Sequence, residues 1–380
     1  MQRFDTEIIT ITEGATKILV PKGAIDEKVP PKEPAFFNPR AKLNRDFSII
    51  AYSSFIKNFE GPKIFLEGLS GLGARGLRVA NEIKEFEKII LNDLNPKALD
   101  LAKESAKLNE LKNIELSEKE TCRFLSNYSK KGERGMIVDI DPFGSPAKFL
   151  DCCVRATMHS GMLSITATDL QVLNGLFQNA CLRRYGGTPI RVEFGNEIAI
   201  RLILGCLRHI TGRLDIEFQP LFIESDQHYY RVFVRILNRP DQSENMGFLF
   251  HCKKCGNRGT VLEKDPKCQV CDEKLQFAGP LWIGELFEKE FLQKMEVECA
   301  NANVDKTCEK IIIKAILESE MPATYYTLDE IASKLKTSPL RLEKAIELLQ
   351  KDGFSASPTS LEPTGFRTNA RIDEIEKIFS

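Results

Sequence analysis

Asp141-Pro142-Phe143-Gly144 follows directly on the apolar run Met136–Ile140, and its residue types suit chemistry on a flat, amino-bearing ring. An aromatic amine delocalises its lone pair into the ring and is a poor nucleophile. Two acceptors on its hydrogens, the Asp141 carboxylate and the Pro142 carbonyl, draw the nitrogen towards a pyramidal shape and free the lone pair. Proline has no N–H to compete for that position. The Phe143 ring offers a stacking face for a base taken out of its helix. Upstream, Glu67-Gly68-Leu69-Ser70-Gly71-Leu72-Gly73 closes a second apolar run, Ile64–Leu66. Ligands of open α/β sheets bind outside the carboxyl ends of the strands, so both loops face one crevice. Alone, the first loop reads equally well as a plain Asp-Pro turn.

Gly71-x-Gly73-x-x-Gly76 also fits the dinucleotide fingerprint. Glu67 separates the two readings. A pyrophosphate at this turn is repelled by the carboxylate, whereas S-adenosylmethionine brings an ammonium and a sulfonium. Asp93 closes the next run, Leu91-Asn92-Asp93, roughly where an acid takes ribose hydroxyls, about 20 residues on, and serves either cofactor. Without a ligand, Glu67 reads as a first-turn helix acid and Asp93 as a helix N-cap. The methyl donor is the favoured cofactor, and a nicotinamide-dependent enzyme the alternative.

These loops need a sheet to hold them. Residues 7 to 20 alternate as a small hairpin, followed by a Pro- and Lys-rich connection, Pro21 to Pro34. Strands are predicted at Ile64–Leu66, Lys88–Asn92, Ile114–Leu116, Met136–Ile140 and Met162–Thr166, with helical periodicity between them. This alternation specifies a parallel sheet covered on both faces. A helix over Glu193–Thr211 leads to an antiparallel pair, Leu214–Ile223 and Tyr229–Leu237. A mainly parallel sheet closed in this way resembles the class I methyltransferase fold, an α/β Rossmann-like sheet with helices on both faces. Residues 1–245 form this domain, with Asp241–Asn245 a polar linker.

Residues 246–280 form a second module. Cys252-x2-Cys255-x12-Cys268-x2-Cys271 presents two knuckles at the spacing of a tetrahedral structural zinc, with no open coordination position. His251 reads as a neighbour of the first ligand, and Cys152, Cys153 and Cys206 as core. Residues 281–380 form a C-terminal domain in which Leu328–Leu335 and Leu340–Leu349 read as the helices of a winged-helix-like part. Its cations Lys334, Lys336, Arg341 and Lys344 are candidates for phosphate contact.

The chain has 380 residues and net charge −1, so any nucleic-acid contact must come from local clusters such as Arg183-Arg184, Lys253-Lys254 or Arg367 with Arg371. Its eleven cysteines, with no secretory pattern at Met1–Glu7, point to thiols or metal in place of disulfides and to the cytoplasm. The most apolar stretch, Ile198–Ile210, is broken by Arg201 and Arg208 and does not span a membrane. A monomer is expected.

Asp-Pro-Phe-Gly resembles the Asn/Asp-Pro-Pro-Tyr/Phe loops of methyltransferases acting on exocyclic amines. Four motifs in order narrow the resemblance: Phe36-Phe37-Asn38-Pro39-Arg40-x4-Arg45-Asp46, Leu69-Ser70-Gly71-x2-Ala74-Arg75-Gly76, Asp139-Ile140-Asp141-Pro142-Phe143-Gly144-Ser145-Pro146, and Thr166-Ala167-Thr168-Asp169. Together they resemble the tRNA guanine-N2 dimethyltransferases acting at position 26, from about residue 13 to Gly365-Phe366-Arg367-Thr368. The resemblance implies that Arg45, Arg75 and Asp93, beside Glu67 and Ser70 of the turn, hold S-adenosylmethionine, with Glu120 or Thr121 near the adenine. It implies that Asp141 and Pro142 engage the guanine amine between the rings of Phe36 and Phe143, that Asp169 braces this loop, and that tRNA is the partner. Glu120-Thr121 stands where the family usually has Asp-Ala, and Leu170–Asn174 departs from the usual Gly-Ala-Pro-Leu type. The alternatives are an amine methyltransferase acting on DNA adenine or a protein amide, and a non-catalytic binding protein.

Overall fold

The computed structural model describes residues 6–57, 59–240 and 244–380. Met1–Asp5 of the N-terminal segment and Asp241–Ser243 of the linker lie outside these. A hairpin, β1 (Ile8–Glu13) and β2 (Thr16–Pro21), precedes the main sheet. That sheet comprises β3 (Ile64–Glu67), β4 (Lys88–Asn92), β5 (Ile114–Ser117), β6 (Gly135–Ile140), β7 (Thr157–Ala167), β8 (Glu217–Asp226) and β9 (Tyr229–Leu237). Its order is β5-β4-β3-β6-β7-β9-β8, with β9 antiparallel to both of its neighbours and the rest parallel.

Sequence explains much of this. Every residue of β6 is buried, as a central parallel strand requires. Leu66, Ile137, Val138 and Leu163 are fully buried in one core, each worth about 1.5–3 kcal/mol of transfer free energy. Asn95 caps the helix Pro96–Leu108 by accepting from Lys97 and Ala98 N–H, and Pro96 sits where no amide proton is needed. Register then sets the chemistry. Glu67 lies opposite Asp139, Asp139 opposite Ser164, and Thr166 opposite Arg231. Because strand side chains alternate with period two, Glu67, Asp139, Thr166 and Arg231 share one face at the carboxyl end of the sheet.

Two expected boundaries move. The helix runs Gly195–Gly212, and the edge strand starts at Glu217 rather than Leu214. Thr211 accepts from both Leu214 and Ile216 N–H, so that stretch turns out of the helix, and its apolar side chains pack sideways on the core.

The cysteine module is a three-stranded sheet of β10 (Met246–His251), β11 (Arg258–Val261) and β12 (Gln276–Trp282). Beyond it, the expected division at residue 281 does not divide the core. Leu286, Phe291, Leu292, Met295, Cys308 and Ile312, on or just before the helices Lys289–Asn301 and Thr307–Glu318, pack into the methyltransferase core itself. A separate core appears only from Tyr326 to Ile375. There β13 (Tyr326–Thr327), helices Leu328–Leu335 and Leu342–Lys351, β14 (Ala356–Pro358) and β15 (Gly365–Thr368) follow the helix Thr307–Glu318 in winged-helix order. Among the described residues no helix is long and apolar enough to cross a membrane.

One cysteine expectation is corrected. Cys122 and Cys152 form a disulfide between the helices Thr121–Ser126 and Leu150–Ala156. Packing of these two helices brings the Cα atoms to 5.5 Å, within bridging range, a proximity that spacing along the chain does not encode. Cys153 and Cys206 are buried core thiols, as expected.

Candidate active site

Backbone hydrogen bonds clip the glycine turn to the sheet. Gly68 N–H donates to the Asp139 carbonyl at 3.0 Å and Ser70 N–H to the Asn92 carbonyl at 2.9 Å. The Asn92 amide donates to the Gly68 and Lys119 carbonyls, joining the loops after β3, β4 and β5. Gly71 and Gly73 adopt φ of +53° and +81°, where a side chain is strained. Gly76 has no room for a Cβ, which would lie 2.1 Å from Leu91. Asp93 accepts from Gly71 N–H at 2.7 Å and from Asn95 N–H at 2.9 Å, so one carboxylate fixes the turn and starts the next helix.

Arg75 joins the two loops. Its guanidinium donates to Asn44 at 2.9 Å and Ser48 at 2.6 Å, both on the helix Lys42–Ile56, and pairs with Asp141 of the substrate loop. Its Nε lies 3.4 Å from both Glu67 and Asp139. Asp139 also binds Tyr52 and Arg231, and Arg231 in turn binds Thr166. Three carboxylates, Glu67, Asp139 and Asp141, therefore face two guanidiniums, Arg75 and Arg231. Burial opposes ionisation of Asp139, but Arg231 and Arg75 together hold its pKa below the ordinary value. Burial pushes Glu67 up to about 8, against the pull of Arg75 and with the push of Asp139 and Asp141. Glu67 is the surplus acid, because it shares Arg75 with Asp139 and Asp141 and has no cation to itself. S-adenosylmethionine, with one net positive charge, supplies that cation, whereas a pyrophosphate adds to the excess. The residues present fit the methyl donor.

Asp141 is part-exposed, Pro142 buried and Phe143 largely exposed, at 73%. Thr168 braces the loop from both sides, accepting from Gly144 N–H at 2.7 Å and donating its own N–H to the Gly144 carbonyl at 2.9 Å. Asp169 acts one step away: it accepts from Tyr185 at 2.6 Å and from Arg184 at 3.0 Å. Phe36 meets Phe143 edge to face, with centroids 4.9 Å apart. A base stacked between two rings needs them parallel and roughly 7 Å apart, twice the usual contact distance, so Phe143 must swing out to admit one.

Three residues stand apart from the expected roles. Arg45 is buried against Glu13, at 2.6 Å, and the Asn38 carbonyl, at 3.2 Å, so it holds the hairpin and the Phe36–Asn38 segment in place rather than the glycine turn. Glu120 is exposed and caps the following helix through Arg123 N–H. Thr121 is buried with its hydroxyl 3.3 Å from the Gly68 carbonyl, which places it nearer the turn of the two. Sequence reasoning passes over Asn44, Ser48, Tyr52 and Arg231. The available signals are charges in buried strands: Asp139 within Met136–Ile140 and Arg231 within Tyr229–Leu237.

A cavity of about 490 Å³ lies elsewhere, lined by Arg201, Phe218, Trp282, Glu318 and Arg367. Its arginines are already paired, Arg201 with Glu197 and Arg367 with Glu197 and Glu318, and it contains none of the loop residues.

Over residues 14–380 the chain matches the family model of N2,N2-dimethylguanosine tRNA methyltransferase. The chain belongs to that family. It is 33% identical to a tRNA (guanine(26)-N(2))-dimethyltransferase of Methanobrevibacter smithii, covering 98% of this chain and 97% of the relative. It is 32% identical to a tRNA (guanine(26)-N(2)/guanine(27)-N(2))-dimethyltransferase of Aquifex aeolicus, covering 97% and 94%. Among solved structures it resembles Trm1 from Pyrococcus horikoshii in complex with S-adenosyl-L-methionine, with TM-score 0.84 and 28% identity over 97% of this chain and 99% of that one. The glycine turn and the Asp141–Gly144 loop described above thus belong to a member of a methyltransferase family.

The four cysteines converge as their spacing along the chain predicts. The sulfurs of Cys252, Cys255, Cys268 and Cys271 all lie within 4.8 Å of one another. A tetrahedral zinc with Zn–S of about 2.3 Å spaces them about 3.8 Å apart. Both knuckles share one backbone pattern: Gly256 N–H donates to the Cys252 carbonyl and Asp272 N–H to the Cys268 carbonyl, each at 2.8 Å. The donor set fits a structural zinc. Lys334 donates to the Cys255 carbonyl, and Arg258 pairs with Glu330, so the metal knuckle anchors the winged helix. Cys255→Ser, or removal of zinc by a chelator, should lower Tm by about 5–10 °C and speed proteolysis within residues 326–380. S-adenosylhomocysteine binding should persist. Unchanged melting with zinc demonstrably gone would refute the structural role.

Proposed function

We propose that this protein is an S-adenosylmethionine-dependent tRNA methyltransferase that places two methyl groups in succession on the exocyclic N2 of guanine 26. One observation carries the reading: Arg75, anchored on the cofactor side by Asn44 and Ser48, holds Asp141 at the point where the substrate loop meets the glycine turn. Glu67, Ser70, Asp93 and Arg75 hold the donor, which supplies an electrophilic methyl group. Asp141 and the Pro142 carbonyl accept the two N–H bonds of the amine and turn its lone pair towards that methyl. The proton shed by the nitrogen leaves through the part-exposed Asp141 carboxylate. After one transfer the nitrogen retains one hydrogen. A second methylation follows with that single N–H held by Asp141, once the carboxylate has passed the first proton to solvent, and with the first methyl turned away from the donor. Phe36 and Phe143 cover the base once Phe143 has moved aside.

Each of these groups lies on one chain, so a monomer holds a complete site, and the cytoplasm is its proposed place of action. Incubation with a tRNA transcript and methyl-labelled donor should yield N2,N2-dimethylguanosine by nucleoside mass spectrometry. A transcript with adenine at position 26 should yield none. Product unaffected by that change would refute the site assignment, and label in DNA or protein instead would favour the alternative amine substrates.

A further inference from the structure

The helix Gln178–Tyr185 and its lead-in take no part in the chemistry above, yet they form its rim. Tyr185 and Arg184 bind Asp169, and the adjoining Thr168 holds Gly144. From this rim project Leu176, Phe177 and Leu182, each about half exposed, at 55%, 51% and 50%, and Phe143, on the loop that Thr168 braces, is exposed as well. Soluble proteins rarely leave such a cluster without a partner.

Charge names the partner. Residues 170–191 contain three arginines and no carboxylate, in a chain whose net charge is −1. Arg184 is taken up by Asp169. Arg183 and Arg191 are exposed and, among the described residues, have no ion-pair or hydrogen-bond partner. Lys148, on the turn Ala147–Phe149 that precedes them, adds a further exposed cation. The winged-helix part also has two exposed cations without a partner among the described residues, Lys336 and Arg341, but its other two are taken up and its helix is neutral. Lys334 is paired with Glu376, Lys344 with Glu347, and the helix Leu342–Lys351 carries two glutamates against two lysines.

We propose that this rim is the docking surface for the RNA backbone and bases flanking the target guanine. Arg183, Arg191 and Lys148 neutralise phosphates, and Phe177 and Leu182 pack on sugars and on the stack left open by the extruded base. The inference rests on the tRNA methyltransferase reading above. A second copy of the chain is the poorer occupant, because an isologous contact sets these arginines against themselves.

The test uses the full-length protein, a guanine-26 tRNA transcript, and binding measured over a salt series. Arg183→Ala with Arg191→Ala should weaken tRNA binding at least tenfold and reduce the slope of log affinity against log salt by about 2. Arg183→Lys should restore most of its share. Phe177→Ser should lower kcat/KM for tRNA about tenfold. S-adenosylhomocysteine affinity should stay at the wild-type value in all of them, which a folding defect would not allow. Wild-type tRNA affinity and salt slope in the double variant, on a tRNA that the parent protein methylates, would overturn the rim alone. So would a wild-type dimer that Phe177→Ser dissociates. A parent protein that neither binds nor methylates tRNA would overturn the function and the rim with it.

Discussion

Asp141→Ala should lower kcat for tRNA methylation about 10³-fold while leaving S-adenosylhomocysteine affinity within about threefold. The asymmetry follows from how Arg75 is held. Losing Asp141 removes one of its partners, but Asn44 at 2.9 Å and Ser48 at 2.6 Å still fix the guanidinium, and Glu67 and Asp139 stay 3.4 Å from its Nε. The cofactor side is therefore preserved while the amine loses its charged acceptor. Asp141→Asn, which keeps one acceptor oxygen without the charge, should fall between the two. Single-turnover methylation alongside calorimetric titration separates the effects. Near-normal turnover in the alanine variant would remove Asp141 from the reaction, and a matching loss of cofactor affinity would make its role structural.

Asp139→Ala should cost stability on a scale that few single substitutions reach, about 3–5 kcal/mol. Its carboxylate is fully buried between Arg75 and Arg231, and its loss leaves the buried Arg231 without its carboxylate partner, while Arg75 keeps Asp141 and Glu67. Thermal or urea unfolding measures the loss. Asp139→Leu combined with Arg231→Met should be less damaging than either alone, since an apolar pair leaves no stranded charge. The pH dependence has a definite sign. The folded pKa of Asp139 lies below its ordinary 3.8, so the stabilisation is full above about pH 4 and is lost as pH falls through the folded value. The variant should lose less of its remaining stability in acid than the parent does. Equal stability of variant and parent at neutral pH would show that the cluster contributes nothing to the fold.

Sequence pattern reveals the loops better than it reveals what holds them. Strand alternation, Asn95-Pro96 and the glycine spacing are local signals, so the sheet, its helices and both ligand loops can be read along the chain. Partner choice is a tertiary property. Arg45 sits in a motif that points to the cofactor, yet Glu13 of the hairpin captures it. Glu120 likewise caps its own helix, while Thr168 rather than its neighbour Asp169 grips Gly144 directly. The core shared by residues 286–312 and the sheet is equally hidden, because amphipathic helices advertise an apolar face without naming what covers it. Leu214 and Ile216 have the alternation of a strand, but the helix exit at Thr211 sets their backbone otherwise.

Arg75 touches both loops, and this bears on how two methyl groups can be delivered to one nitrogen. A fresh donor carries one more positive charge than its spent form, and in the proposed site that difference arises beside a guanidinium that also grips Asp141, the carboxylate proposed to meet the guanine. By thermodynamic reciprocity, whatever a change of donor does to the hold on guanine, the guanine does equally to the hold on donor. One side chain with two allegiances is therefore the route by which, on the proposed reading, exchange of the donor would reach the base.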